Sequence, residues 1–130
     1  MARIRDIVVD CAHPAAVARF WAAALDGYAI APYDEAELAR LRALGIDGPE
    51  DDPTVLVEPA GGGPRLWFQK VPEPKRAKNR VHMDLLPAEN GGFQAELTRL
   101  LGLGARVVEV HEGLTVLADI EGNEFCLLHE

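Results

Sequence analysis

The sequence predicts an α+β protein built from two βαβββ modules, and three observations predict it. The order strand, helix, stopping glycine, strand occurs twice along the chain. The two occurrences share nearly one offset: Asp6 and His82 stand 76 positions apart, Gly27 and Gly104 stand 77 apart. Each occurrence is then followed by two apolar runs joined by a glycine-bearing turn, the pattern of a hairpin. Landmarks read separately that give nearly one offset indicate an internal duplication. At 130 residues and 14.1 kDa the chain suits a single domain over 1–130. Module one spans about 1–74 and module two about 79–130.

The first element is "IRDIVVD", a strand rich in β-branched residues. Asp6, Val8 and Asp10 share one face and Ile7 and Val9 the other, because strand side chains alternate. "HPAAVARFWAAALDGY" is a helix. Pro14 suits its first position, and Val17, Phe20, Trp21, Ala24 and Leu25 form one apolar stripe. Gly27 sits where a helix-stopping glycine belongs, and a short strand starts at Tyr28. "TVLVEP" and "RLWFQKV", joined by "AGGGP", complete module one. Module two repeats the order. "VHMDLL" is a strand, and Phe93, Leu97, Leu100 and Leu101 stripe a helix that Gly104 stops. "ARVVEV" follows, then the hairpin "LTVLA" and "EFCLL" around "DIEGN".

Two stretches stand outside the repeat. Residues 33–53, "YDEAELARLRALGIDGPEDDP", have no counterpart in module two. They predict a short helix through Leu38 and Leu41 and an exposed acidic loop at "GPEDDP", read as surface decoration rather than a lid. "VPEPKRAKNR" joins the modules and clusters Lys75, Arg76, Lys78 and Arg80. Such a stretch is ordinarily a solvated linker.

Composition narrows the function classes. Thirteen basic against 21 acidic residues give a net charge of −8. An acidic chain repels phosphate backbones, so nucleic acid is not an expected partner. Two cysteines, Cys11 and Cys126, are too few for a disulfide framework. No apolar run is long enough for a membrane span, and the N-terminus lacks a signal-peptide pattern. The expected compartment is the cytoplasm, with no membrane partner. No GxGxxG, P-loop, HExxH or GxSxG motif occurs.

"NRVHMDLLP" poses the sharpest chemical question. As a strand it points Val81, Met83 and Leu85 one way and His82, Asp84 and Leu86 the other. His82 is then a metal ligand, a catalytic base or a hydrogen-bonding residue of a cavity wall, the last being the ordinary role of a lone strand histidine. The other strands split similarly. Leu66 and Phe68, with Phe125 and Leu127, form clean hydrocarbon faces; Arg65, Trp67 and Gln69, with Glu124 and Cys126, form mixed ones. Trp67 among polar groups favours a binding surface, since pockets combine apolar platforms with a few polar groups.

The stretches "DCAHPAAVARFWAAALDGY", "LWFQKVPEPKRAKNRVHMDL", "LGLGARVV" and "DIEGNEFCLL", in this order, resemble the vicinal oxygen chelate superfamily. Within it they resemble the glyoxalase-like domains related to bleomycin-resistance proteins. The resemblance covers nearly the whole chain. It implies a cupped mixed sheet with helices on its convex side and a ligand on the concave one. The mixed faces then line the cup, making Asp6, Trp67, Gln69, His82, Cys126 and Glu124 the expected ligand-binding residues, with His82 and Asp84 the catalytic candidates. The resemblance also implies where a metal would bind: Asp6, Gln69, His82 and Cys126. Only His82 is a first-choice ligand there, and a thiol beside hard oxygens serves an octahedral ion poorly. The expectation is therefore no cofactor, with a divalent metal as the alternative.

Three functions stay open. The first is a metal-free protein that binds a small molecule, as in antibiotic sequestration. The second is a metal-dependent lyase or dioxygenase. The third is a metal-free enzyme using His82 as acid or base beside Asp84 or Asp6. A homodimer is expected, because small cupped domains leave edges and apolar area uncovered.

Overall fold

A computed structural model describes residues 1–130. The chain forms two compact units, Met1–Pro74 and Lys75–Glu130.

Unit one runs β1 (Asp6–Cys11), α1 (Pro14–Ala24), β2 (Tyr28–Ile30), α2 (Glu35–Ala43), a 3₁₀ turn (Pro49–Asp51), β3 (Thr54–Pro59) and β4 (Arg65–Lys70). Its four strands lie in the order β1-β4-β3-β2. β1 and β4 are parallel, with Asp6 opposite Arg65 and Val8 opposite Trp67. The other pairs are antiparallel. α1 packs against β2, β3 and β4. It buries Val17, Phe20, Trp21 and Ala24, and the strands bury Val55, Val57, Leu66 and Phe68. Phe20 and Trp21 meet edge to face, their ring centroids 5.4 Å apart. The predicted alternation holds in β4: Leu66 and Phe68 are buried, whereas Arg65 and Trp67 are partly exposed and Gln69 is exposed. Pro14 opens α1 as its spacing predicts, and His13 stands at the N-cap without a side-chain cap bond.

Unit two runs β5 (Asp84–Leu85), α3 (Gly92–Gly102), β6 (Arg106–His111), β7 (Leu114–Ala118) and β8 (Glu124–Leu128). The strand order is β5-β8-β7-β6, again with the first strand parallel to the last. Both units thus use one topology, first-last-third-second. Phe125, Leu127, Leu117 and Leu100 are wholly buried. Asp119 is buried in the turn before β8, where its carboxylate accepts from the Glu121 and Asn123 N–H groups at 2.9 and 3.0 Å. Gly27 and Gly104 have φ of +71° and +113°, as helix-stopping glycines do. At Gly104 a Cβ would stand 2.8 Å from Ile120 Cγ2.

Three sequence expectations need correction. "VHMDLL" is not a strand throughout: only Asp84 and Leu85 pair with β8, and the Cys126 N–H reaches the Met83 carbonyl just before them. β5 is an edge strand with Pro87 close behind, which removes a donor and cuts the ladder short. Val81 is accordingly 80% exposed rather than under a helix. In α3, Leu100 is buried but Leu101 is exposed, since successive helix residues point about 100° apart. The acidic loop is not exposed throughout: Asp52 is 4% exposed.

Candidate functional site

The segment between β2 and β3, read from sequence as decoration, forms one wall of a cleft in unit one. The cleft has a volume of about 660 Å³. Trp67 of β4 and Leu56 and Thr54 of β3 supply its sheet side. Leu56 sits opposite Trp67 in the ladder, so both side chains leave the sheet on the face opposite Leu66 and Phe68. Tyr33, Ala36, Glu37 and Arg40 supply the other side, together with Asp52. Asp34 begins α2 by accepting from the Glu37 N–H at 2.9 Å, a side-chain N-cap. One turn on, Arg40 is clamped by Glu37 through Nε and Nη2.

A half-buried tyrosine and a buried aspartate fix the floor of that wall. The Tyr33 hydroxyl donates to Asp52 Oδ2 at 2.7 Å, and the Thr54 N–H donates to Oδ1 at 3.0 Å. Burial, and then the Asp52 carboxylate, push the Tyr33 phenol well above its ordinary value. A half-buried phenol facing a carboxylate cannot ionise without placing two negative charges together. Tyr33, Asp52 and Arg40 were not among the sequence candidates. Two signals were present: a lone tyrosine ahead of a capping aspartate, and an Asp-Pro-Thr stretch whose aspartate bonds the N–H two residues on.

Asp6, expected to bind ligand or metal, is otherwise engaged. Arg65 grips both its oxygens, Nε–Oδ1 at 2.7 Å and Nη2–Oδ2 at 3.1 Å, and Arg5 approaches at 3.4 Å. The Arg65 guanidinium holds the Asp6 carboxyl below its ordinary value. The same guanidinium lies 6.0 Å from the Trp67 ring centroid, within reach of a cation–π contact. The ion pair therefore helps orient the ring that lines the cleft. Gln69 is exposed, its amide 3.4 Å from Asp10.

In unit two, His82, Asp84 and Cys126 come together. Their ligand-capable atoms all lie within 4.8 Å of one another. His82 Nδ1 is 3.1 Å from Asp84 Oδ1 and 3.8 Å from Cys126 Sγ. The parallel register explains the meeting, because Asp84 sits directly opposite Cys126. Burial, with Asp84 adding to it, pushes the Cys126 thiol up against a smaller opposing pull from Lys78. Glu124 takes a different role. It receives Lys75 at 3.1 Å and the Asn79 N–H at 3.1 Å, pinning the basic stretch to β8. Burial works against that carboxylate, but these donors hold its pKa below the ordinary value.

The family described as "Glyoxalase-like domain" matches residues 6–128. Among proteins of curated function, none matches. Solved structures share the fold. The fosfomycin resistance protein FosX from Mesorhizobium loti aligns with a TM-score of 0.65 at 11% identity, over 100% of this chain and 93% of that one. A FosX variant from Listeria monocytogenes, complexed with Mn(II) and 1S,2S-dihydroxypropylphosphonic acid, aligns at 0.63 and 9%, over 99% and 90%. A possible glyoxalase from Bacillus cereus aligns at 0.62 and 13%, over 98% and 99%. At such identities the likeness is one of fold.

The residues of this chain do not fit a hard ion such as Mn(II). Such an ion prefers carboxylate, carbonyl and water donors, whereas the Asp6 carboxylate is held by Arg65 and Cys126 offers sulfur. The duplicated βαβββ topology and the match across residues 6–128 agree: the chain belongs to the glyoxalase-like domain family of the vicinal oxygen chelate superfamily.

Proposed function

We propose that this protein binds a small organic molecule in the cleft of unit one, without a metal, and acts by sequestration. The observation that carries the reading is the cleft itself, about 660 Å³ with Trp67 against it. Small-molecule sites usually occupy roughly 300–1,000 Å³ and combine an apolar platform with a few placed polar groups. Trp67 and Leu56 are the platform; Tyr33, Asp52 and Arg40 are the polar groups. Asp34, Glu37 and Asp52 against the single cation Arg40 favour a ligand that carries a ring and a positive or hydrogen-bond-donating group. A fosfomycin resistance protein with this fold, complexed with a small phosphonic acid, supplies a precedent for a small organic ligand, and the broken hard-metal set argues against the lyase and dioxygenase readings.

The test is a panel of cationic and neutral ring compounds, read by tryptophan fluorescence and melting temperature. The expected result is quenching and a raised melting temperature in the wild type, unchanged by chelator. Trp67→Ala should lose both while keeping its fold. Trp21, buried under the sheet at 2% exposure, reports only on folding. Compounds that bind Trp67→Ala as well as the wild type, or binding abolished by chelator, would sink the reading.

A further inference from the structure

We infer that the ligand site runs out of the cleft along an apolar stripe of three side chains, Leu56, Trp67 and Val8, and takes an elongated two-ring cation whose charge meets Asp10. This rests on the cleft reading and goes beyond it, since neither Val8 nor Asp10 lines the cleft.

Strand register carries the inference. Leu56 of β3 lies opposite Trp67 of β4, and Trp67 lies opposite Val8 of β1. Residues opposite one another in a ladder point to the same face, so the three side chains form one row across three strands. Neighbouring strands are about 4.8 Å apart, so the row is about 10 Å long. The segment around α2 walls only the Leu56–Trp67 end. At the other end Val8 is 53% exposed. A lone exposed valine is ordinary, but this one continues an indole platform. A single ring over Trp67 leaves Val8 wet; two fused or linked rings cover the stripe.

Polar rows flank the stripe and select the charge. Asp6 opposite Arg65 forms one row, and Asp10 opposite Gln69, itself opposite Thr54, forms the other. Each lies two residues along the strands, about 7 Å away. Most carboxylates nearby are already engaged. Arg65 holds both oxygens of Asp6, and Glu58 adds its charge to the same guanidinium. Arg40 holds Glu37, Asp52 accepts from Tyr33 and Thr54, and Asp34 caps α2. The Asp10 carboxylate is exposed and receives only the Gln69 amide, in a long 3.4 Å bond. Asp10 therefore carries the least compensated charge beside the stripe. A cationic ring would also gain from the Trp67 face.

The experiment titrates three probes into the full-length protein by calorimetry: N-methylpyridinium, one ring and charged; N-methylquinolinium, two rings and charged; and methylnaphthalene, two rings and neutral. N-methylquinolinium should bind on the order of tenfold more tightly than N-methylpyridinium, because it buries a second ring. It should also bind several-fold more tightly than methylnaphthalene, the size of a solvent-exposed ion pair. Val8→Ser should narrow the first gap and Val8→Phe should widen it. Asp10→Asn should close the second. Both side chains are exposed, and circular dichroism checks that the variants fold. Trp67→Ala should weaken all three probes. If Trp67→Ala weakens N-methylquinolinium but either gap is unchanged in its own variants, the extended site is overturned and the cleft reading stands. No binding of any probe, or binding indifferent to Trp67→Ala, overturns both.

Discussion

Single residues set the chemistry of both regions, and two of them give measurable titrations. Tyr33 is held protonated by burial and by Asp52. It should contribute no tyrosinate absorbance near pH 10, where an ordinary tyrosine ionises. The titration of Tyr33→Phe should therefore lose no amplitude there; a lost ordinary step would show that the Tyr33–Asp52 pair does not exist in solution. Asp52→Ala removes the acceptor of both the Tyr33 hydroxyl and the Thr54 N–H. Leaving those donors unpaired costs roughly 1–3 kcal/mol, readable by denaturant melts. For Asp6 the sign runs through its depressed carboxyl. Its pairing with Arg65 stabilises the fold above the unfolded value, about 3.8, and is lost as pH falls through the lower folded value. The stability gap between wild type and Arg65→Met should therefore close in acid and stay open at neutral pH.

Among the elements, the helix stops are the most exacting. A residue with a Cβ at positive φ costs about 1–2 kcal/mol. Gly27→Ala carries only that cost, since nothing lies within 4 Å of the added carbon. Gly104→Ala adds the 2.8 Å clash with Ile120 Cγ2, so it should destabilise more than Gly27→Ala. Because Ile120 is 44% exposed, Ile120→Ala should be cheap alone and recover part of the Gly104→Ala loss. Equal melting temperatures for the two glycine variants would remove the clash from the account. α2 shows the limit of pattern reading at this scale. Its cap at Asp34 and its buried Leu41 follow from the residues, but one small helix with few apolar positions reads alike whether it walls a cleft or decorates a surface. β5 shows another limit. Six residues of strand-like pattern made only two paired ones, because pairing depends on the neighbour and on Pro87 rather than on periodicity.

At the scale of the molecule, β6 is the open question for assembly. It pairs only with β7 and is exposed along its whole length, with Val107, Val108 and Val110 at 43%, 46% and 69%. A valine-bearing edge strand invites pairing with another chain. We expect a homodimer by light scattering at micromolar concentration and a monomer for Val108→Lys/Val110→Lys. A wild-type monomer would end that expectation. No helix is long and apolar enough to cross a membrane.

The sequence by itself determined the duplicated βαβββ order, both helix stops, the hairpins and the faces of β4 and β8. These follow from local periodicity and turn chemistry, which act over a few residues and leave a trace in the residue order. Alternation also put His82 and Asp84 on one face, and the family resemblance made His82 and Cys126 candidate ligands. Only the tertiary structure decided the rest. Arg65 lies 59 positions from Asp6 yet takes its carboxylate, and the parallel register that sets Asp84 against Cys126 brings a histidine to a thiol 44 positions away. Asp52 became a buried partner of Tyr33 only when the segment after β2 folded back over Trp67. Such contacts depend on chain return and register, which no local pattern encodes.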